Sequence, residues 1–457
     1  MLPDYIAKCA PNTPEKRSPW YLNTAPSYAG VWLWVVFYQQ IAQGTLDQAG
    51  LGWSLAGLVV AAFLCYALFY FVPALLGMKA GYPLSVVGTS TFGTTGGYLM
   101  PGLLMGLLQV GWVAVNTAVS TSFILKGLRM NSSPGHTIFE NWPFTIIAIT
   151  WCLTMTFVGI KGIRYVARVS LYVNAVAFLT IALVYLKTHS GVQHYAVPPL
   201  TTPFLGVTAM MQMVIGFFAT AGAAGADFGM NSRDIRDVKF GGLVGIALAA
   251  IYAGGLPLMS VAGARGLNPA AAITTYSDVI ASTGGVVARI MFFLFAIASI
   301  VPACVSSFIA SNSFSTMLPK LPRAATALGG AICSLVLAIT GLAGNLVDVF
   351  LIVGASFGPI CGAMTADYLL SGRRWAGPRR GINYAGYIAW AVGFAIGIVP
   401  FLPVSQMVKN YSQPQVLWSW IAGFLVYAIV AKLGGQPEPL PLEKSEGRTS
   451  ERVLAER

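Results

Sequence analysis

The stretch Gly216–Asp237, GFFATAGAAGADFGMNSRDIRD, decides how this chain is to be read. It opens as membrane-grade apolar sequence and breaks into small residues, with Gly222 and Gly225 three apart. It ends in a strip carrying Asp227, Arg233, Asp234, Arg236 and Asp237. A hydrophobic segment that loses its large side chains halfway and runs into charge is a poor membrane anchor. It has the pattern expected of an interrupted helix lining a binding site.

Composition agrees with a membrane setting. A chain of 457 residues that is 56% hydrophobic and 9% charged has too few polar side chains to cover a soluble globule, and its mean hydropathy is +0.70. An all-α integral membrane protein is expected. The net charge of +12 does not point to nucleic acid, because no arginine-rich run is interleaved with aromatics and the basic residues fall between apolar segments as topology markers. Six scattered cysteines suggest neither a disulfide framework nor a metal site. All three histidines fall in predicted loops, so no metal, no cofactor and no catalytic residue is expected. A membrane enzyme would need paired titratable groups near one interface, and only Asp227 and Asp367 are available, without a histidine partner.

Runs of about 20 apolar residues, long enough to cross the hydrocarbon core as a helix, occur at 27–45, 52–77, 97–125, 143–160, 166–187, 206–226, 240–263, 285–311, 324–344, 346–370, 383–402 and 415–433. Residues 1–26 carry five prolines and no apolar signal segment, and are expected to be a cytoplasmic N-terminal segment. With the N-terminus inside, inner loops hold thirteen basic residues and outer loops six, which predicts both termini cytoplasmic in a plasma membrane. The tail from Gly434 (residues 434–457) reads as a disordered cytoplasmic end.

Two spans are irregular. The first places Gln39, Gln40 and Gln43 within apolar sequence, where amides facing lipid are costly, and the sixth is the opening stretch. They occupy corresponding places in two five-helix blocks, 27–187 and 206–370, which is the pointer to an inverted-repeat transport core. Two additional helices, 383–433, follow it. In the third span Gln109, Trp112 and Asn116 share one helical face. An indole flanked by amides suits a flat heterocycle, since the ring stacks and each amide supplies a donor and an acceptor. Each feature has a plainer reading: amides bonding between helices, a packed core tryptophan, glycines that permit close crossing, a solvated loop at Asp234 and Asp237. For Asp227 and Asp367 the choice is between anchoring a helix end and carrying a proton.

The chain resembles the nucleobase:cation symporter-1 family, and within it the cytosine and purine-cytosine permeases, over about Tyr28 to Lys432. The resemblance is carried by GYPLSVVGTSTFGTTGGYLMPGLLMGLLQVGWVAV with its Gln-x-x-Trp, by FFATAGAAGADFGMNSRD, and by GASFGPICGAMTADYLLSGRR. It implies twelve transmembrane helices of the leucine-transporter-type fold, a 5+5 inverted repeat plus two helices, and import of a nucleobase by alternating access coupled to a proton or sodium gradient. It carries substrate contacts onto Gln109 and Trp112, and onto Phe218, Thr220 and Ala221. Asn116 and Gln40 join them from the residue reading above. A cation site is carried less well onto backbone near Val36 and Gln39 and onto Ser299 and Ala303, because Pro302 and Ala303 stand where hydroxyls are expected. The alternative is a same-fold carrier of another small substrate, such as allantoin, hydantoin, a vitamin precursor or an amino acid. The spacing says nothing of oligomeric state.

Overall fold

The structure, a computed structural model, describes residues 2–39, 41–135, 137, 139–197, 202–344 and 346–441, with the side chains of residues 346–351 outside the description. Among these residues there is no strand, only two isolated bridges, Ser18 with Ser232 and Arg379 with Pro439. A helix is the form in which a segment satisfies its own backbone polar groups without water, so apolar runs of this length fold into nothing else in hydrocarbon.

Helix occurs within each of the twelve apolar runs. The first run is split into α1 (Thr24–Trp32) and α2 (Val35–Tyr38). Then come α3 (Leu46–Ala80), α4 (Tyr98–Leu128), α5 (Trp142–Ile160) and α6 (Ile163–His194). The sixth run is split into α7 (Pro203–Ala223) and α8 (Gly225–Gly229). The remainder are α9 (Ile235–Leu267), α10 (Gly285–Met317), α11 (Arg323–Ile339), α12 (Leu346–Leu370), α13 (Tyr384–Gly397) and α14 (Gln415–Lys432). Eight of these helices are, among the described residues, long and apolar enough to cross a membrane: α3 to α7, α9, α10 and α14.

Packing places the irregular helices at the centre. The α7 helix lies against α3 and α12, α4 lies against α10 and α11, and α14 closes one flank on α12 and α13. Many hydroxyls inside helices are satisfied locally, as where Ser54 donates to the Gly50 carbonyl and Ser170 to that of Val166. Glycine does its work where backbones touch. A Cβ on Gly77 would collide with the Ala226 carbonyl oxygen, and one on Gly229 with that of Ala74, so α3 and α8 cross in direct backbone contact.

The charged strip is structural. Asp234 caps α9 by accepting from the Asp237 N–H at 2.9 Å. Asp237, 2% exposed, accepts from Arg233 Nε at 2.7 Å and from the Trp20 N–H at 3.1 Å, fastening the N-terminal segment to the α8–α9 turn. The solvated-loop reading of Asp237 therefore gives way, because its carboxylate has two donors to satisfy inside the protein. Asn12 and Ser18 reinforce the attachment through the carbonyls of Met230 and Asn231. At the other terminus the first part of the tail is also packed: Leu440 N–H donates to the Pro378 carbonyl at 2.7 Å, and the Pro437 carbonyl accepts from Arg379. Residues 442–457 lie outside the described residues.

The backbone crossing gives a direct test. Gly77→Ala and Gly229→Ala should each destabilise the detergent-solubilised protein by about 1–3 kcal/mol, read as a lowered thermal unfolding midpoint. Gly329→Ala, whose Cβ would meet nothing within 4 Å, should leave the midpoint unchanged.

Candidate functional site

The two split runs meet. Between α1 and α2, Trp34 is extended (φ −78°, ψ 127°), and between α7 and α8 the helical ladder is interrupted at Ala224 (φ −62°, ψ −3°). The glycines flanking that interruption serve packing, since a Cβ on Gly222 would press on Phe69. The interrupted backbone is not left bare: the Tyr28 hydroxyl of α1 donates to the Ala221 carbonyl at 2.7 Å. One broken helix thus completes the other.

Beside this junction lies a small cavity of about 30 Å³, room for a single water. Its wall includes Trp34, Gln109, Trp112, Phe217, Thr220 and Ala221, and no charged side chain lines it. The Trp112 indole N–H donates to Thr220 Oγ1 at 3.1 Å, linking α4 to α7. Gln109, 2% exposed, gives its amide N–H to the Met105 thioether at 3.6 Å, a weak acceptor that leaves the amide with capacity for a better partner. Three rings stand around the space, with Trp112 6.0 Å from Trp34 and 5.4 Å from Phe217, both edge to face.

Of the substrate residues expected from sequence, four converge here: Gln109, Trp112, Thr220 and Ala221. The others are placed differently. Asn116 faces neighbouring helices, giving its amide to the Ser299 carbonyl at 2.9 Å and accepting from Trp151 Nε1 at 3.0 Å. Phe218 stacks on Trp32 at 5.0 Å and packs against Tyr28, while its neighbour Phe217 supplies the ring on the cavity wall. Gln40 lies outside the described residues. Trp34 and Phe217 were not singled out from sequence. An amide in apolar sequence is conspicuous because it is polar, whereas one more aromatic in WLWVVF or GFF is not, until the break in the helix turns it.

A second, larger cavity of about 290 Å³ lies on the other side of Phe217, which lines both. Val36, Gln39, Gln212, Lys126 and Ser277 are on its wall. Here Gln39 Oε1 accepts from the Ser277 hydroxyl at 2.8 Å, and the Gln39 carbonyl accepts from the Tyr276 N–H. Lys126 sits over the rings of Phe123 and Phe292, 5.8 Å from each centroid. Ser299 and Ala303 line neither cavity. Ser299 marks a jog in α10, its hydroxyl donating to the Phe295 carbonyl and its own carbonyl taken by Asn116.

The two acidic residues differ sharply. Asp367 is 2% exposed and fully engaged, accepting from Arg379 at 2.7 Å, Ser90 at 2.6 Å and Thr91 at 3.2 Å. It ties α12 to the segment before α4. Asp227 is 4% exposed and has only the Leu84 N–H and the Asn312 amide, both at 3.4 Å; no ion pair reaches it among the described residues. No group of three or more His, Cys, Asp or Glu side chains that could hold a metal ion occurs among the described residues.

Comparison with known proteins adds the following. A family model described as permease for cytosine/purines, uracil, thiamine, allantoin matches residues 11–423. The cytosine permeases of Escherichia coli K12 and Escherichia coli O157:H7 are each 28% identical over 333 residues, covering 70% of this chain and 73% of theirs. Among solved structures, the chain is similar to Mhp1, a nucleobase-cation-symport-1 family transporter, in a closed conformation with bromovinylhydantoin bound. That match has a TM-score of 0.68 at 17% identity, over 94% of this chain and 95% of that one. The inward-facing conformation of Mhp1 matches with a TM-score of 0.63 at 18% identity, over 94% and 95% of the two chains. A substrate-bound, outward-open Na+-coupled sialic acid symporter matches with a TM-score of 0.60 at 13% identity, over 96% and 93%. At such identities these likenesses concern the fold.

Because Arg379 and Asp367 are both buried, removing one strands the other. Arg379→Ala should cost about 3–5 kcal/mol of stability, read by thermal unfolding in detergent. Asp367→Asn should lower stability too while leaving ligand affinity unchanged, as an anchor would and a residue of the binding site would not.

Proposed function

The chain belongs to the family of permeases for cytosine/purines, uracil, thiamine and allantoin, and from that premise we propose that it imports a nucleobase-like heterocycle across the plasma membrane. It is a transporter and not an enzyme. The transport core is ten helices in two inverted five-helix repeats, followed by two more, with both termini cytoplasmic. Transport proceeds by alternating access and is coupled to a sodium or proton gradient.

The observation that carries this reading is the convergence of Gln109, Trp112 and Thr220 on an uncharged cavity at the meeting of two interrupted helices. A neutral flat ring suits it. The indole of Trp112 offers a face, the Gln109 amide offers a donor and an acceptor to a polar ring edge, and the Thr220 hydroxyl still has its proton to give. An amino-acid substrate would want counter-charge for both its ends, and no charged side chain lines this cavity. A space of about 30 Å³ does not hold a heterocycle. The walls must therefore separate to admit one, which is the behaviour alternating access requires. Phe217, between the small cavity and the larger one, is the partition whose movement would join them.

For the coupling ion, Val36 and Gln39 stand on the wall of the larger cavity, where both Gln39 oxygens already accept a hydrogen bond. Ser299 and Ala303 on α10 line neither cavity, and the Ser299 carbonyl is likewise taken by Asn116. Either ion is compatible with the family premise, and uptake at fixed pH with sodium replaced by choline distinguishes them.

Cells expressing the protein should accumulate at least one radiolabelled compound among cytosine, adenine, hypoxanthine, uracil, allantoin and hydantoin in a gradient-dependent way. Trp112→Ala should abolish both that accumulation and the thermal stabilisation by the same compound. Unlabelled substrate inside vesicles should accelerate uptake of label, as a carrier requires and a channel does not. Absence of accumulation and of stabilisation with every compound would overturn the proposal.

A further inference from the structure

One donor in the cavity has nothing to give its proton to. Trp34 is 2% exposed and its indole nitrogen is buried without a hydrogen-bond partner among the described residues. A buried N–H that has exchanged water for nothing costs free energy, and folded proteins rarely leave one so. The orphan alone would not mark a site, because the Trp32 indole nitrogen is also unpartnered, yet that ring is stacked on Phe218 and lines no cavity. Trp34 differs in position. It is the extended residue where α1 breaks into α2, and it stands on the wall of the cavity that also holds Gln109, Trp112 and Thr220. The other indole on that wall is already used, since Trp112 gives its N–H to Thr220.

Resting on the substrate reading above, we propose that Trp34 is a specificity-determining residue whose indole N–H donates to a ring carbonyl of the bound heterocycle. The division of labour follows from the groups present. The Gln109 amide presents a donor and an acceptor side by side, matching an amidine edge such as the amino group and ring nitrogen of a 4-aminopyrimidine, or the lactam edge of a pyrimidinone. A substrate read in this way has one further need on the Trp34 side, an acceptor, and a carbonyl at ring position 2 supplies it. The preferred substrate class is then a heterocycle with an amidine or lactam edge plus a second ring carbonyl. The site discriminates against the analogue lacking that carbonyl, because binding it leaves the Trp34 N–H buried and unpaired.

Two matched pairs test this with the full-length protein in detergent: cytosine against 4-aminopyrimidine, and uracil against 4-pyrimidinone. Each pair differs in the carbonyl at position 2 and in the proton on N1 that goes with it. Wild-type protein should bind the carbonyl-bearing member of at least one pair more tightly, and Trp34→Phe should reduce that preference about tenfold, as loss of one well-placed hydrogen bond does. Because the readout is a ratio of affinities within one variant, partial loss of folded protein does not alter it. Trp34→Leu, which also lacks a donor and makes no demand on aromatic packing, gives the same comparison where Trp34→Phe does not fold. A preference equal in wild type and variant overturns this inference and leaves the transport site standing. Failure of the wild type to bind any of the four compounds also overturns this inference, whereas the transport reading falls only if none of its six compounds is accumulated or stabilises the protein.

Discussion

A helix broken inside hydrocarbon must find partners for the backbone groups that the break releases, because neither water nor lipid will supply them. The centre of this protein is organised by that constraint. The Ala221 carbonyl near the end of α7 is met by the Tyr28 hydroxyl of α1, and the Ser299 carbonyl at the jog in α10 by the Asn116 amide of α4. Trp112 adds a side-chain bond from α4 to Thr220 of α7. The interruptions in α7 and α10 are thus each completed by a side chain of another central helix. The irregular helices are consequently obliged to sit together, and their polar groups gather around the small cavity where the proposed ligand would be read.

Satisfying the breaks does not exhaust the polar groups they bring in. The Gln109 amide has only a thioether, and the Trp34 indole has no partner among the described residues. These unmet groups are what favours the proposed binding cavity over a packing junction. Around them the helices approach as closely as backbone allows, with α3 and α8 in glycine-mediated contact and the N-terminal segment fastened by Asp237. Phe217 lines both this cavity and the larger one beside it.

Much of the site was legible because polar residues in apolar sequence are conspicuous. Gln109 and Trp112 announce themselves by their spacing on one face, and the small-residue run around Thr220 and Ala221 by its contrast with the large residues before it. Asn116 obeyed the same spacing and yet faces Ser299 and Trp151, because a single helical stripe eight residues long passes more than one neighbour. Phe218 and Phe217 are adjacent in sequence, and adjacent residues on a helix point about 100° apart. A resemblance can select that pair of rings, but which ring reaches the cavity depends on the rotation of α7, and that rotation is set by packing against α1 and α3.

What the sequence determined by itself was the solvent, the secondary structure and the location of the irregular spans. Apolar runs of bilayer length have only the helix open to them, and side chains of the wrong polarity or size mark where a helix cannot be uniform. What only the tertiary structure decided was partnership. Asp237 looked like solvated loop and is buried beneath Trp20; Asp227 and Asp367 looked alike and differ in that one has Arg379 beside it. Trp34 looked like ordinary apolar sequence and carries an unspent donor at the cavity wall. Whether a polar group is satisfied is a property of what lies across from it, and that can come from far along the chain, as Trp20 meets Asp237 from 217 positions away.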